Sequence, residues 1–284
     1  MTHRNIDIHV EEIQREGYTI IPDVMSPAEI DATRRAIDET LAFEENLGRK
    51  LGTQSNDLRM VFEAHGKHPH FHGLALRNPE PLLVSRRILG DDMVCYNLTI
   101  RVPMPSGKKD TSKYGGHLHV DWDKYTVTPF AGGKHYPMGI QSAWCVSAFE
   151  ERTGATMVWP GSHLSGDAPY ADAATVPAGH VIAEAPAGSV ILWDSALWHT
   201  GGTNSDVDPR YTVIAYFQRG WIKGVNDANR RVSPAARAAM SIEERRLYGM
   251  EPTIPPNSHI RDMDPAQLAA LTHEEKVVMG FAEY

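Results

Sequence analysis

The stretch His117-Leu118-His119-Val120-Asp121-Trp122-Asp123 alternates metal-ligating side chains with other residues. In an extended chain, residues i and i+2 face the same way, so His117, His119, Asp121 and Asp123 line one face. Two donors at that spacing reach a single metal ion. A third donor is offered by His199, 78 residues after Asp121, at the end of Leu192-Trp193-Asp194-Ser195-Ala196-Leu197-Trp198-His199. Two imidazoles and one carboxylate on one side of an ion form the facial arrangement that suits non-haem Fe(II) and leaves its other positions open. The pattern needs a carboxylate two residues after the histidine. That selects His119 as the ligand, leaves His117 to line a cavity, and makes Asp123 a turn residue. Arg210 follows His199 by eleven residues and heads the run Tyr211–Phe217. A guanidinium there can grip a carboxylate through two parallel hydrogen bonds. His-x-Asp alone occurs by chance in many chains; the ordered set of four residues carries the signal.

Other candidates read more plainly. His65, His68, His70 and His72 lie between an expected helix and Pro79-Glu80-Pro81 with no periodic element to support them, and read as a polar loop that could cover the site, rather than as a metal tract. His163, in Pro160-Gly161-Ser162-His163, reads as part of a structural turn. Lys108, Lys109 and Lys113 read as a solvated basic loop, with contact to an anionic substrate as the sharper reading.

The elements that must position these residues follow from the same chain. Residues 8–16 read as a short helix ended by Gly17, and Tyr18–Ile21 as a strand. Ser26-Pro27-Ala28-Glu29 combines an N-cap serine, proline at N1 and glutamate at N3, so a helix of about four turns starts there, with Ile30, Ile37 and Leu41 on one face. From about residue 93 to 219 short β-rich runs alternate with Gly and Pro: 94–102, 116–121, 141–149, 156–159, 181–184, 189–193 and 211–219. That spacing predicts a β-sandwich or barrel of the jelly-roll kind. Capping signals at Ser241…Glu244, Asp264-Pro265 and Thr272…Glu275 make residues 220–284 a helical extension. The expected organisation is one domain over 1–284, mainly β with flanking helices.

A net charge of −8 over 284 residues excludes a nucleic-acid binder or anionic-membrane binder that relies on overall basic charge. No apolar run is long enough to span a bilayer. The N-terminus shows no secretory signal, and Cys95 and Cys145 make no disulfide framework, so a cytoplasmic chain with reduced thiols is expected. The oligomeric state is not written in any of these features.

Beyond the ligands, the chain resembles the phytanoyl-CoA dioxygenase family of Fe(II)/2-oxoglutarate oxygenases. Glu16–Val24 followed by Ser26–Ile30 looks like the family's N-terminal strand and helix. Trp144 followed by Thr153–His163, with its Pro-Gly-Ser-His end, and Ala187–Asp194 leading to His199 look like two further family segments. The likeness runs from about residue 10 to 219. It implies a double-stranded β-helix (jelly-roll, cupin-like) core, and His119, Asp121 and His199 as ligands of Fe(II). It implies Arg210 on the distal carboxylate of 2-oxoglutarate, and Trp144 as an aromatic beside that cosubstrate. Asn97, Thr99 and Arg101 alternate on the preceding strand and would face the cavity together, Asn97 and Thr99 toward the cosubstrate and Arg101 toward an anionic group of the substrate. The implied reaction is oxidation of a small organic molecule by O2, by default hydroxylation, with cyclisation, desaturation or epimerisation as other outcomes. Two positions depart from the family: Val120 stands where glutamine is common, and Gly201 where some members place a serine, which Thr200 or Thr203 could replace. Halogenating relatives replace the carboxylate ligand with a small residue; Asp121 is present, which argues against halogenation. The rival readings are a non-redox jelly-roll binding protein and a cupin-type isomerase needing metal but no 2-oxoglutarate.

Overall fold

The computed structural model describes residues 3–51, 58–106, 117–121, 130–131, 134–167, 169, 177–223, 232–251 and 264–278. Helix α1 (His3–Glu16) leads through Gly17 into strand β1 (Tyr18–Ile21), as expected, though α1 starts earlier than residue 8. Helix α2 (Pro27–Asn46) begins at the expected cap: the Glu29 amide donates to Ser26 Oγ and the Ser26 amide donates to Glu29 Oε2 at 3.0 Å. At 20 residues it outruns the four turns anticipated. Strand β2 (Leu58–Val61) and helices α3 (Leu74–Arg77) and α4 (Pro79–Leu89) precede the β core.

That core comprises β3 (Val94–Pro103), β4 (Phe130–Ala131), β5 (Lys134–His135), β6 (Gly139–Cys145), β7 (Thr156–Val158), β8 (Val181–Ile182), β9 (Val190–Asp194), β10 (His199–Gly201) and β11 (Thr212–Gln218). Six strands form one sheet in the order β1-β9-β6-β11-β3-β2, and β10-β7-β8 form a second. The pairings within both sheets are antiparallel. This is the two-sheet jelly roll expected.

The large sheet is covered on both faces. Toward the helices it presents Leu98, Ile100, Trp144, Leu192, Val213 and Phe217, which pack with Ile13 of α1, Ile37 and Leu41 of α2, and Leu82 of α4. Leu247 and Tyr248, from the helical segment after Gly220, join the same cluster. Toward the second sheet it presents Ala143, Cys145, Ile191, Trp193, Ile214 and Tyr216, against Val158 and Leu197. Strands buried on both faces lose the apolar/polar alternation of a half-exposed strand, and β6, β9 and β11 are buried at every position.

After Gly220 short helices span Pro234–Ala239, Ile242–Leu247, Pro265–Ala270 and His273–Val278. The caps expected at Ser241, Asp264 and Thr272 are formed. Cys95 and Cys145 are free and buried, and burial pushes each thiol up to about 12.

The four-histidine segment departs from the loop reading. His65 is fully buried and stacks on Tyr248 at 4.1 Å between ring centroids, with an interplanar angle of 9°. His70 is hydrogen-bonded to Thr33 at 2.8 Å and His68 to Glu39 at 2.9 Å. The segment knits α2 to the C-terminal helices, and none of its histidines lines the cavity described next. Lys108, Lys109, Lys113 and Asp123 lie outside the described residues.

Candidate metal centre

The metal-ligating segments are held to one another by backbone. His119 N–H donates to the His199 carbonyl and His199 N–H to the His119 carbonyl, both at 3.0 Å. The Asp121 amide donates to the Ser195 carbonyl at 2.9 Å. Residues 117–121 are therefore not the regular strand expected; a single bridge at His119 replaces it, and His117, His119 and Asp121 still line one cavity.

Both ring orientations are set from behind. His119 Nδ1 is hydrogen-bonded to the His117 carbonyl at 2.5 Å and His199 Nδ1 to the Leu197 carbonyl at 2.9 Å. Since a carbonyl only accepts, each Nδ1 carries the proton and each Nε2 presents a lone pair. The two Nε2 atoms lie 3.9 Å and 3.5 Å from the Asp121 carboxylate oxygens, and the three donor atoms fall within 4.8 Å of one another. Donors held at about 2.1 Å from one ion lie about 3 Å apart when adjacent, so the set closes on a metal once the three side chains draw together from this spacing. Burial, followed by the neighbouring His199, pushes His119 down to about 4, so its imidazole is neutral and ready to ligate at pH 7. This donor set, two neutral nitrogens and one carboxylate on one side, fits a non-haem iron and leaves the opposite side open.

Trp193 is a member of the site that sequence reasoning did not single out. From β9 its Nε1–H donates to Asp121 Oδ2 at 3.0 Å, which fixes the carboxylate's orientation. Its partner across the strand pair is Gln141 on β6, whose side chain donates to Ser195 Oγ at 2.9 Å. A short polar scaffold thus sits under the turn that leads into His199 and whose Ser195 carbonyl accepts from the Asp121 amide. Asp194 accepts from the Ala196 amide at 2.9 Å and is paired with buried His135 at 2.7 Å, which stiffens that same turn.

The cavity facing the ligands has a volume of about 450 Å³. Arg210 lines it and is 6% exposed. Its guanidinium carbon sits 3.9 Å from the centroid of Phe149, and its Nε and Nη1 have no hydrogen-bond partner among the described residues. Burial pushes its pKa down to about 10, which leaves it charged at pH 7. A buried cation with unmatched donors is costly unless an anion meets it. The arrangement suits one carboxylate end of 2-oxoglutarate.

The remaining expected residues divide. Arg101 lines the cavity. Asn97 and Thr99 share its side of β3 but do not reach the cavity: Asn97 Oδ1 accepts from the Glu63 amide at 3.2 Å, and Thr99 is fully buried. Trp144 lies on the other face of β6. It is fully buried among the helix-facing residues, with Nε1 donating to Ser142 Oγ at 3.1 Å; among the described residues, the aromatic rings besides imidazoles that line the cavity are Phe149, Trp193 and Tyr216. Of the two threonines considered as replacements for a serine at Gly201, Thr203 lines the cavity and Thr200 does not. Gly202 lets this wall close on Gly154 and Ala155: a Cβ on it would meet the Ala155 carbonyl at 2.8 Å, whereas a Cβ on Gly201 would meet nothing within 4 Å.

A jelly roll with an open facial His-Asp-His set and a buried arginine in one cavity defines the class of non-haem iron oxygenases. The family model for Phytanoyl-CoA dioxygenase (PhyH) matches residues 13–212, and the chain belongs to that family. It is an Fe(II)- and 2-oxoglutarate-dependent dioxygenase. Among its relatives is the dioxygenase af480 of Aspergillus fumigatus, 23% identical over 260 residues that cover 87% of this chain and 79% of the relative. The ectoine dioxygenase of Nocardia farcinica is 26% identical over 246 residues, covering 74% and 78%. Among solved structures, the epimerase SnoN in complex with Fe3+, alpha ketoglutarate and nogalamycin RO aligns with a TM-score of 0.60 at 21% identity, over 77% of this chain and 85% of that one. HygX from Streptomyces hygroscopicus, with nickel, 2-oxoglutarate and hygromycin B bound, aligns with a TM-score of 0.62 at 15% identity, over 80% and 90%.

Proposed function

We propose that His119, Asp121 and His199 hold Fe(II), that Arg210 clamps the distal carboxylate of 2-oxoglutarate, and that the enzyme hydroxylates a small organic molecule in the cavity beside them. The observation that carries this reading is the pairing, in one cavity, of a three-donor set with a buried arginine whose Nε and Nη1 lack acceptors. Iron with 2-oxoglutarate and O2 supplies the oxidising chemistry, one oxygen atom going to the substrate C–H bond while the cosubstrate leaves as succinate and CO2.

The residues of this chain bind and orient. Trp193 holds Asp121 so that one carboxylate oxygen is directed at the ion. The carbonyls of His117 and Leu197 keep both imidazoles in the ligating tautomer. Phe149 lies against the Arg210 guanidinium and keeps it directed at the cavity. The ligands bound in SnoN and HygX favour a small-molecule substrate, and no helix among the described residues is long and apolar enough to cross a membrane.

The test is Fe(II)-dependent succinate formation from 2-oxoglutarate, with iron binding measured separately. His119→Ala and Asp121→Ala are expected to abolish both, while His117→Ala keeps a measurable fraction of each. Loss of iron binding in His117→Ala alone would show that the ligand assignment is wrong.

A further inference from the structure

Thr212 opens β11 two residues after Arg210 and is 2% exposed. The Arg210 amide donates to the Pro103 carbonyl at 3.1 Å, which carries the pairing with β3 back past the first residue of β11. Residues i and i+2 of an extended chain share a face. Arg210, Thr212, Ile214 and Tyr216 accordingly all line the cavity, and the polar end of that face sets a hydroxyl beside a guanidinium.

Thr212 Oγ1 is buried and has no hydrogen-bond partner among the described residues, as is true of Arg210 Nε and Nη1. Valine has nearly the shape of threonine and would pack in this strand without an unmet hydroxyl, so packing alone does not require threonine here. Donors left unmet on one face of one cavity point to a shared acceptor. On the β10 side of the cavity, Gly201 presents no side-chain hydroxyl, and a Cβ added there would meet nothing within 4 Å. Thr200 does not line the cavity, and Thr203 lines it from the segment after β10, not from the strand face that carries Arg210. A carboxylate suits the Arg210–Thr212 pair. Its two oxygens accept about four hydrogen bonds, more than one arginine fork fills, and a hydroxyl that donates to an ionised acceptor makes one of the stronger hydrogen bonds.

We propose that the Thr212 hydroxyl donates to the same distal carboxylate of 2-oxoglutarate that Arg210 clamps, in place of the hydroxyl that Gly201 lacks. This rests on the oxygenase reading above, and adds to it a residue that distinguishes the cosubstrate from 2-oxo acids without a second carboxylate.

The test compares 2-oxoglutarate with 2-oxopentanoate, which keeps the 2-oxo acid end and the five-carbon chain but ends in a methyl group. Binding of each is measured by titration calorimetry on the anaerobic Fe(II) protein. Thr212→Val should bind 2-oxoglutarate about tenfold more weakly, as expected on loss of a hydrogen bond to a charged group, with its affinities for 2-oxopentanoate and Fe(II) within about twofold of the original. Thr212→Ser and Thr212→Ala differ by the hydroxyl alone and should show the same gap for 2-oxoglutarate, so the comparison stands even where valine disturbs the fold. Unchanged 2-oxoglutarate affinity in Thr212→Val, or equal affinities in the serine and alanine variants, overturns the proposal. An equal loss for both 2-oxo acids also overturns it, since Thr212 would then act through packing. So does a loss in Thr203→Val with none in Thr212→Val, which gives the role to Thr203. An original protein that binds Fe(II) but not 2-oxoglutarate overturns the oxygenase reading instead, and this proposal with it.

Discussion

Replacing Arg210 with methionine should make the ligand-free protein more stable while destroying its response to 2-oxoglutarate. The guanidinium is 6% exposed, with Nε and Nη1 lacking acceptors among the described residues. Its pKa is lowered from 12.5 to about 10, chiefly by burial. For a base, a lowered folded-state pKa means that the fold disfavours the charged form. The cost is therefore present at every pH below about 10 and fades only as both states lose the proton. At pH 7 the shift corresponds to about 3 kcal/mol against the folded state. Methionine removes that cost and fills a similar volume, but it forfeits the guanidinium–Phe149 contact, worth about 1–2 kcal/mol when desolvated. The net expectation is a gain of about 1–2 kcal/mol, a rise of roughly 2–5 °C in the Tm of the ligand-free protein. Saturating 2-oxoglutarate with Fe(II) should stabilise the original protein by several degrees and Arg210→Met hardly at all. The assay is a paired set of thermal melts with and without cosubstrate, plus iron affinity as a control that should not move. An Arg210→Met protein that melts lower than the original when ligand-free, or that keeps the 2-oxoglutarate shift, would refute the reasoning.

Other residues give equally direct outcomes. Trp193→Phe removes the hydrogen bond to Asp121 Oδ2 and should weaken iron binding by about 10-fold or more with the fold intact; unchanged affinity in a metal titration would count against the positioning role. Gly17 has φ +86°, and a Cβ there would come within 2.5 Å of Leu197 and 2.7 Å of His163, so Gly17→Ala should lower stability by about 2 kcal/mol or more in denaturant unfolding. Both ring nitrogens of His65 are buried without hydrogen-bond partners among the described residues, and burial pushes its pKa down to about 3. From about pH 6.5 down to pH 3 the unfolded chain therefore takes up a proton that the folded one refuses, and stability falls as pH falls. His65→Phe, which keeps a ring against Tyr248, should recover about 2 kcal/mol at pH 5 relative to the original protein; identical slopes of stability against pH between 6.5 and 4 would exclude the effect.

What could be read ahead of the coordinates was what depends on local chain geometry. The Ser26 cap, the β-rich stretch from 93 to 219 and the His-x-Asp spacing all rest on near neighbours, and the helix, the strands and the shared orientation of His119 and Asp121 follow. The histidine segment 65–72 failed for the opposite reason. Nothing near it in sequence shows that Tyr248, far along the chain, stacks on His65, and a polar composition there signals an interlayer seam rather than a solvated loop.

Trp144 marks the same limit within the site. A strand covered on one face announces its inner side by alternation, but β6 is buried at all seven positions. Its two sides, Ala143 and Cys145 against Ser142 and Trp144, therefore read alike from sequence, and assignment of a face requires the register of a neighbour. That register was available in principle. Trp144 pairs with Val213 and Val190, both helix-facing, while Ala143 pairs with Ile214 and Ile191, both facing the second sheet. Once Asp121 is taken as a metal ligand, strict alternation along β9 sends Trp193 to the inner face with Ile191, and the indole beside the carboxylate follows. The aromatic side chain with a polar edge at this centre is therefore the one whose strand leads into His199. Exchanging the two tryptophans' roles also separates their mutant phenotypes: Trp144→Phe should cost stability and spare iron affinity, whereas Trp193→Phe should do the reverse.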